Sequence, residues 1–306
     1  MPARTPARSP ARKRGPSRAA ARSGQPYARR RLLAVGALVV VVALLVVAAL
    51  GLHGWLRDQG VVAPLPGEER CVGNANARSV VLDPDQAYYS SIVVGLSVRR
   101  GLAPRAGSIA MATAYQESGI RNLDYGDRDS VGLFQQRPSQ GWGSEKQLMD
   151  PYYATTKFYN AMVKVKDWET RDITKVAQAV QRSAYPSAYK AHESDARVLA
   201  SALSGQSQHA FTCLVHGSAA GDAGALADSL ETTFRIDTKT TDKVVTVSAK
   251  SDRLAWAYAQ YAVANAGRHG VLTVEVGEYV WTTNAYTLPA WVKAPDVGKT
   301  VRVTVR

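Results

Sequence analysis

Glu117 stands where a carboxyl group becomes an acid. It closes an apolar run, Ile109-Ala110-Met111-Ala112-Thr113-Ala114-Tyr115-Gln116-Glu117-Ser118, and a polar, glycine-rich loop leads from there to Gly132-Leu133-Phe134-Gln135. Met111, Ala114, Tyr115, Ile120 and Leu133 are its expected neighbours, so the ionised form should lose hydration. The carbonyl end of the predicted helix also repels negative charge. Both effects raise the pKa, and a glutamic acid still protonated near neutral pH can donate to a glycosidic oxygen, the first step of most glycoside cleavage. An isolated Glu-Ser at a helix end is more often part of a surface network, so the weight falls on what accompanies it.

Glu117-Ser118, Gly126-Asp127-Arg128 and Gly132-Leu133-Phe134-Gln135 together resemble the lytic transglycosylases and goose-type lysozymes of the lysozyme-like superfamily, in spacing as well as type. The resemblance runs from about Asp83 to Leu203. It implies a mainly α lysozyme-like domain in which Glu117 is the catalytic acid and the Gly132 segment lines a sugar cleft, with Phe134 in place of the family's Met. The Gly-Asp-Arg element is most similar to the goose-type branch and makes Asp127 a candidate for positioning water. Two elements depart from the family. Its Ala-Tyr-Asn-Ala-Gly segment falls on Ala179-Val180-Gln181-Arg182-Ser183, where the Tyr has become Val180, and the acidic residue expected just after Gly-Leu-Met-Gln is replaced by Gln136-Arg137-Pro138.

Tyr185 and Tyr189 follow the altered segment closely and are candidates to supply the missing hydroxyl. With Gln135 and Trp142 they make up the expected sugar contacts. The resemblance implies cleavage of the β-1,4 bond between N-acetylmuramic acid and N-acetylglucosamine in peptidoglycan, by transglycosylation or, if Asp127 positions water, by hydrolysis. The alternative is a scaffold that grips glycan strands within a cell-envelope assembly and has lost the chemistry, for which Val180 is the best support. No cofactor is expected. The five histidines are scattered and no Cys or His spacing suits a metal.

The elements that would carry these residues are mostly helical. Asp83 and Pro84 read as a helix cap and first turn, followed by an apolar stripe through Tyr88, Ile92 and Leu96. A second helix runs from Pro104 or Ser108 to Glu117. Further helices are marked by Asp150-Pro151 with Tyr152, Thr155, Tyr159 and Met162, by Ile173 to Val180, and by Ala196 to Leu203. These place the lysozyme-like domain at 83–205, then a Gly/Ala/Ser-rich linker at 206–235. A small α+β module at 236–306 has strands at Val244–Val247, Val271–Val276 and Val301–Val305 and a helix over Ser251–Ala266. Its tryptophans, 256, 281 and 291, are read mainly as core.

The N-terminal region sets the compartment. The first 31 residues hold ten Arg or Lys and no Asp or Glu in a Pro/Ala/Ser background that should be disordered. From Leu32 to Leu52 follow 21 uncharged residues, enough at about 1.5 Å each to span a bilayer core of roughly 30 Å. Arg29, Arg30 and Arg31 at one end predict a single-pass anchor with a cytoplasmic N-terminus and an extracytoplasmic remainder, with a cleaved secretory signal as the alternative, and the resemblance implies that the membrane is that of a bacterial cell. Residues 53–82 then form a spacer. Of the formal charge of +13, ten units lie in the arm, which leaves +3 on the other 275 residues. The arm therefore suits anionic lipid, and no specific nucleic-acid site is implied. Cys71 and Cys213, the only cysteines, both fall on the oxidising side and are expected to form a disulfide.

Overall fold

A computed structural model of the protein describes residues 41–42, 44–52, 67–183, 185, 187–216 and 220–306. The basic arm and most of the expected anchor and spacer lie outside these. Of the expected span 32–52, residues 41, 42 and 44–52 are helical (α1) with exposed Val and Leu side chains. Among the described residues no helix is long and apolar enough to cross a membrane.

Residues 63–306 form one compact unit, in which helices predominate and two antiparallel sheets are embedded. The predicted first helix is α2, Pro84–Arg99. Asp83 accepts a hydrogen bond from the Gln86 amide, and the Gln86 side chain accepts one back from the Asp83 amide, so two orphan donors at the helix start are satisfied. Helix α3, Pro104–Ser118, is buried along most of its length and packs against α2 and against α7, Glu193–Leu203. The remaining helices of this half are the short α4 (Glu145–Leu148), α5 (Pro151–Met162) and α6 (Ile173–Gln181), with a 3-10 turn at Ala188–His192 leading into α7.

The expected spacer and linker both contain regular structure. Strands β1 (Arg70–Ala75) and β2 (Arg78–Leu82) form a hairpin, and β3 (Phe211–Leu214) completes a sheet of order β2-β1-β3. The hairpin turn is Asn76-Ala77, both at positive φ (52° and 58°). That is the backbone of a type I′ turn, but Asn-Ala lacks the glycine by which such turns are recognised in a sequence. Cys71 lies directly opposite Cys213 in this sheet and the expected disulfide is present, across a separation of 142 residues. Residues 206–235 are therefore no linker: β3 occupies one part, and α8 (Ala223–Phe234) another, capped by Asp222 and burying Leu226, Leu230 and Phe234. Those three recur every fourth residue, a helical signal diluted by the surrounding Gly, Ala and Ser.

Nor is 236–306 a separate module. Strands β4 (Lys239–Thr241), β5 (Val244–Ser248), β6 (Val271–Val276), β7 (Tyr279–Thr282), β8 (Val292–Lys293) and β9 (Thr300–Val305) form a sheet of order β4-β5-β9-β6-β7-β8. Helix α9 (Asp252–Ala264) lies on this sheet with its other side against α2, α7 and β3. It is buried on every face from Ala255 onward, which is why a one-sided stripe underdescribes it. Gln260, fully buried in α9, accepts from the Ala210 amide (2.8 Å) and donates to the carbonyls of Ala202 (2.7 Å) and Ser207 (3.1 Å). The short α10 (Ala266–His269) follows.

Candidate active site at Glu117

The local chain geometry around Glu117 comes from how α3 ends. Gly119 takes the left-handed conformation (φ 63°), and the Ile120 amide donates back to the Ala114 carbonyl at 3.0 Å, stopping the helix one residue after Glu-Ser. Ser118 is buried. Its hydroxyl donates to the Leu133 carbonyl (2.8 Å) and accepts from the Arg121 amide (3.1 Å), so the residue after Glu117 ties the helix end to the Gly132 segment. Gly132 stands at φ 80°, and a Cβ there would lie 2.4 Å from the Leu148 carbonyl oxygen, which explains the glycine. Amide–carbonyl bonds in both directions between Val131 and Gln136 close this turn.

The Glu117 carboxyl is partly buried. Its Oε1 accepts a hydrogen bond from the Tyr189 hydroxyl at 2.6 Å, and the Gln181 side chain is a second partner. Burial raises its pKa above the ordinary glutamate value and outweighs the two hydrogen bonds, which favour the charged form and pull the other way. Tyr189 is fully buried on the 3-10 turn ahead of α7, and burial followed by the adjacent carboxylate pushes its phenol far above the usual range. It therefore stays protonated and donates to the Glu117 carboxylate. Gln181 also donates to the Phe134 carbonyl (2.6 Å), joining the acid to the Gly132 segment from the opposite side.

The other expected site residues are placed differently. Gln135, at φ 46°, donates to the carbonyls of Tyr125 and Gly132 at 3.2 Å each, so its amide braces the loop. Asp127 is 91 % exposed, with Arg128 4.0 Å from its carboxylate. The bound aspartate of this loop is Asp129: the Ser139 amide (2.7 Å), Arg137 (2.7 Å) and the Ser139 hydroxyl (3.0 Å) hold its carboxyl well below the usual range. Arg137 thus pins the loop. Trp142 packs partly buried against the core and its carbonyl accepts from the Tyr153 hydroxyl at 3.3 Å. Tyr185 is 74 % exposed and points away from the core. Val180 is buried in the core, and Phe134 stacks on Phe158 with centroids 4.7 Å apart.

Of the two tyrosines after α6, the structure brings Tyr189 to Glu117 and leaves Tyr185 outside. Gln181 and Ser118 are the contributors that residue typing did not single out, although Gln181 lies inside the segment 179–183. Among the described residues no group of His, Cys, Asp or Glu is arranged to hold a metal ion. Compared with known proteins, the chain matches no family model and no curated protein.

Proposed function

We propose that this protein cuts peptidoglycan glycan strands at the β-1,4 bond between N-acetylmuramic acid and N-acetylglucosamine, with Glu117 as general acid and then general base. The observation that carries the reading is a partly buried glutamic acid of raised pKa, fixed by Tyr189, on a helix end bolted to a glycine turn. The protonated carboxyl gives its proton to the glycosidic oxygen as the bond to the anomeric carbon breaks. The resulting carboxylate keeps the Tyr189 hydrogen bond, which offsets part of its desolvation, and then removes a proton from the attacking hydroxyl.

The exposure of Asp127 favours the route that needs no second enzyme carboxylate, in which the sugar's own 6-hydroxyl attacks and a 1,6-anhydro end results. The scaffold alternative rested on the loss of a tyrosine at Val180, and Tyr189 supplies a hydroxyl to the acid from another element. The lysozyme-like character of the helical half and a membrane anchor at 32–52, with the basic arm against anionic lipid, belong to the same proposal. The test is digestion of purified peptidoglycan by the full chain in neutral detergent, with mass analysis of the ends. Anhydro ends from wild type and their loss in Glu117→Gln are the expected result. Release that persists unchanged in that variant removes Glu117 as the acid, and strand binding without any release decides for the scaffold.

A further inference from the structure

Far along the chain from Glu117, the six-stranded sheet and the start of α9 line a half-open cavity of about 270 Å³. Its apolar wall is Trp256, nearly buried, and Tyr279, with ring centroids 6.0 Å apart. The His209 ring packs against both, 4.4 Å from Trp256 and 3.8 Å from Tyr279, and holds their orientation. Three carboxylates, Asp252, Glu278 and Asp296, stand around the rim, and no lysine or arginine lines the cavity. Among the described residues none of the three forms an ion pair, although the Asp296 carboxylate accepts a hydrogen bond from the Gly298 amide at 2.7 Å.

The cavity is preformed. The turn between β6 and β7 is tied to the segment before β9 by the Gly277 amide on the Gly298 carbonyl (3.1 Å) and the Val297 amide on the Gly277 carbonyl (2.9 Å). The free amides at the start of α9 would attract an anion, but the Ser251 hydroxyl accepts from the Leu254 amide and Asp252 adds negative charge in the first turn. An aromatic wall presents negative ring faces, and a carboxylate rim adds to the same sign. That combination recognises an organic cation. The volume lies just below the usual range for drug-sized ligands, roughly 300 Å³ upward, and leaves room for a single extended side chain.

We infer that this cavity binds a primary alkylammonium group, the end of a lysine-like side chain, with the alkyl stem on Trp256 and Tyr279 and the charge between Asp252, Glu278 and Asp296. The site does not depend on the glycan-cleaving reading. It is tested by titrating Nα-acetyl-lysine methylamide into the full chain in neutral detergent at low salt, followed by calorimetry. Saturable one-to-one binding with Kd of about 1 mM or tighter is expected. The uncharged norleucine analogue should bind at least about tenfold more weakly, and the double variant Asp252→Asn, Glu278→Gln should weaken lysine binding by a similar factor with Tm unchanged. Absence of saturable binding, equal binding of norleucine, or undiminished binding by the double variant overturns the assignment.

Discussion

At the residue scale, the decisive fact is that one carboxyl is pulled in two directions. Burial favours the neutral form of Glu117 and the Tyr189 and Gln181 hydrogen bonds favour the charged form, with burial the larger. Because the folded pKa lies above the unfolded one, the folded state holds the proton more tightly. This stability is full below the ordinary glutamate value of 4.5 and is lost as pH rises through the raised value. Glu117→Gln keeps the shape and abolishes the charge. Thermal melts should therefore show the variant more stable than wild type at pH 8, by on the order of 1 kcal/mol, and no gain at pH 4. Equal differences at both pH values would contradict the raised pKa. Tyr189→Phe removes a donor to the carboxylate, so the pKa of Glu117 should rise further. The alkaline limb of the rate–pH profile on glycan strands should move to higher pH, while the maximum falls about tenfold through poorer positioning.

At the element scale, the site is a junction of four segments: the end of α3, the turn at Gly132, the end of α6 and the 3-10 turn before α7. Each is fixed by backbone geometry as much as by side chains. Ser118 links the first two, Gln181 at the end of α6 joins Glu117 to the second, and Tyr189 joins it to the fourth. Gly132→Ala introduces a Cβ against the Leu148 carbonyl at a φ of 80°. We expect a loss of about 2 kcal/mol or more and a drop in activity. Chemical denaturation and the strand-release assay together read this, and a variant with wild-type stability would show that the turn yields more readily than its contacts suggest.

At the scale of the whole molecule, the segments before α2 and after α7 are stitched together rather than strung out. The disulfide joins two neighbouring strands that are 142 residues apart in sequence. On the chain-entropy model a closure of that length stabilises by on the order of 5 kcal/mol, and removal of a native bridge typically costs about 2 to 5. Replacing both Cys71 and Cys213 by Ala should lower the urea midpoint accordingly, with a single transition retained in wild type because α9 shares its core with both halves. Two separated transitions in wild type would show that the sheet of β4 to β9 folds as an independent module after all.

Local chemistry was legible in the residues themselves. The Asp83 and Asp150 caps, the α3 run ending at Glu117 and the alternation in β9 all follow from short-range rules acting within a few residues, whereas the disulfide was expected because the chain holds only two cysteines. Tyr189 and Tyr185 looked equivalent because both follow α6 closely, and only the packing of the turn before α7 turned one inward to Glu117. The strands β1 to β3 were hidden for a different reason. They are short, their hairpin lacks a glycine signal, and β1 pairs with a strand on the far side of the helical region. Gln260 likewise gives no local sign that its amide joins the loop after α7 to a helix fifty or more positions later. Spacing and residue type determine an element and its caps; contacts between distant segments depend on how those elements pack, and that information is carried by no single stretch of chain.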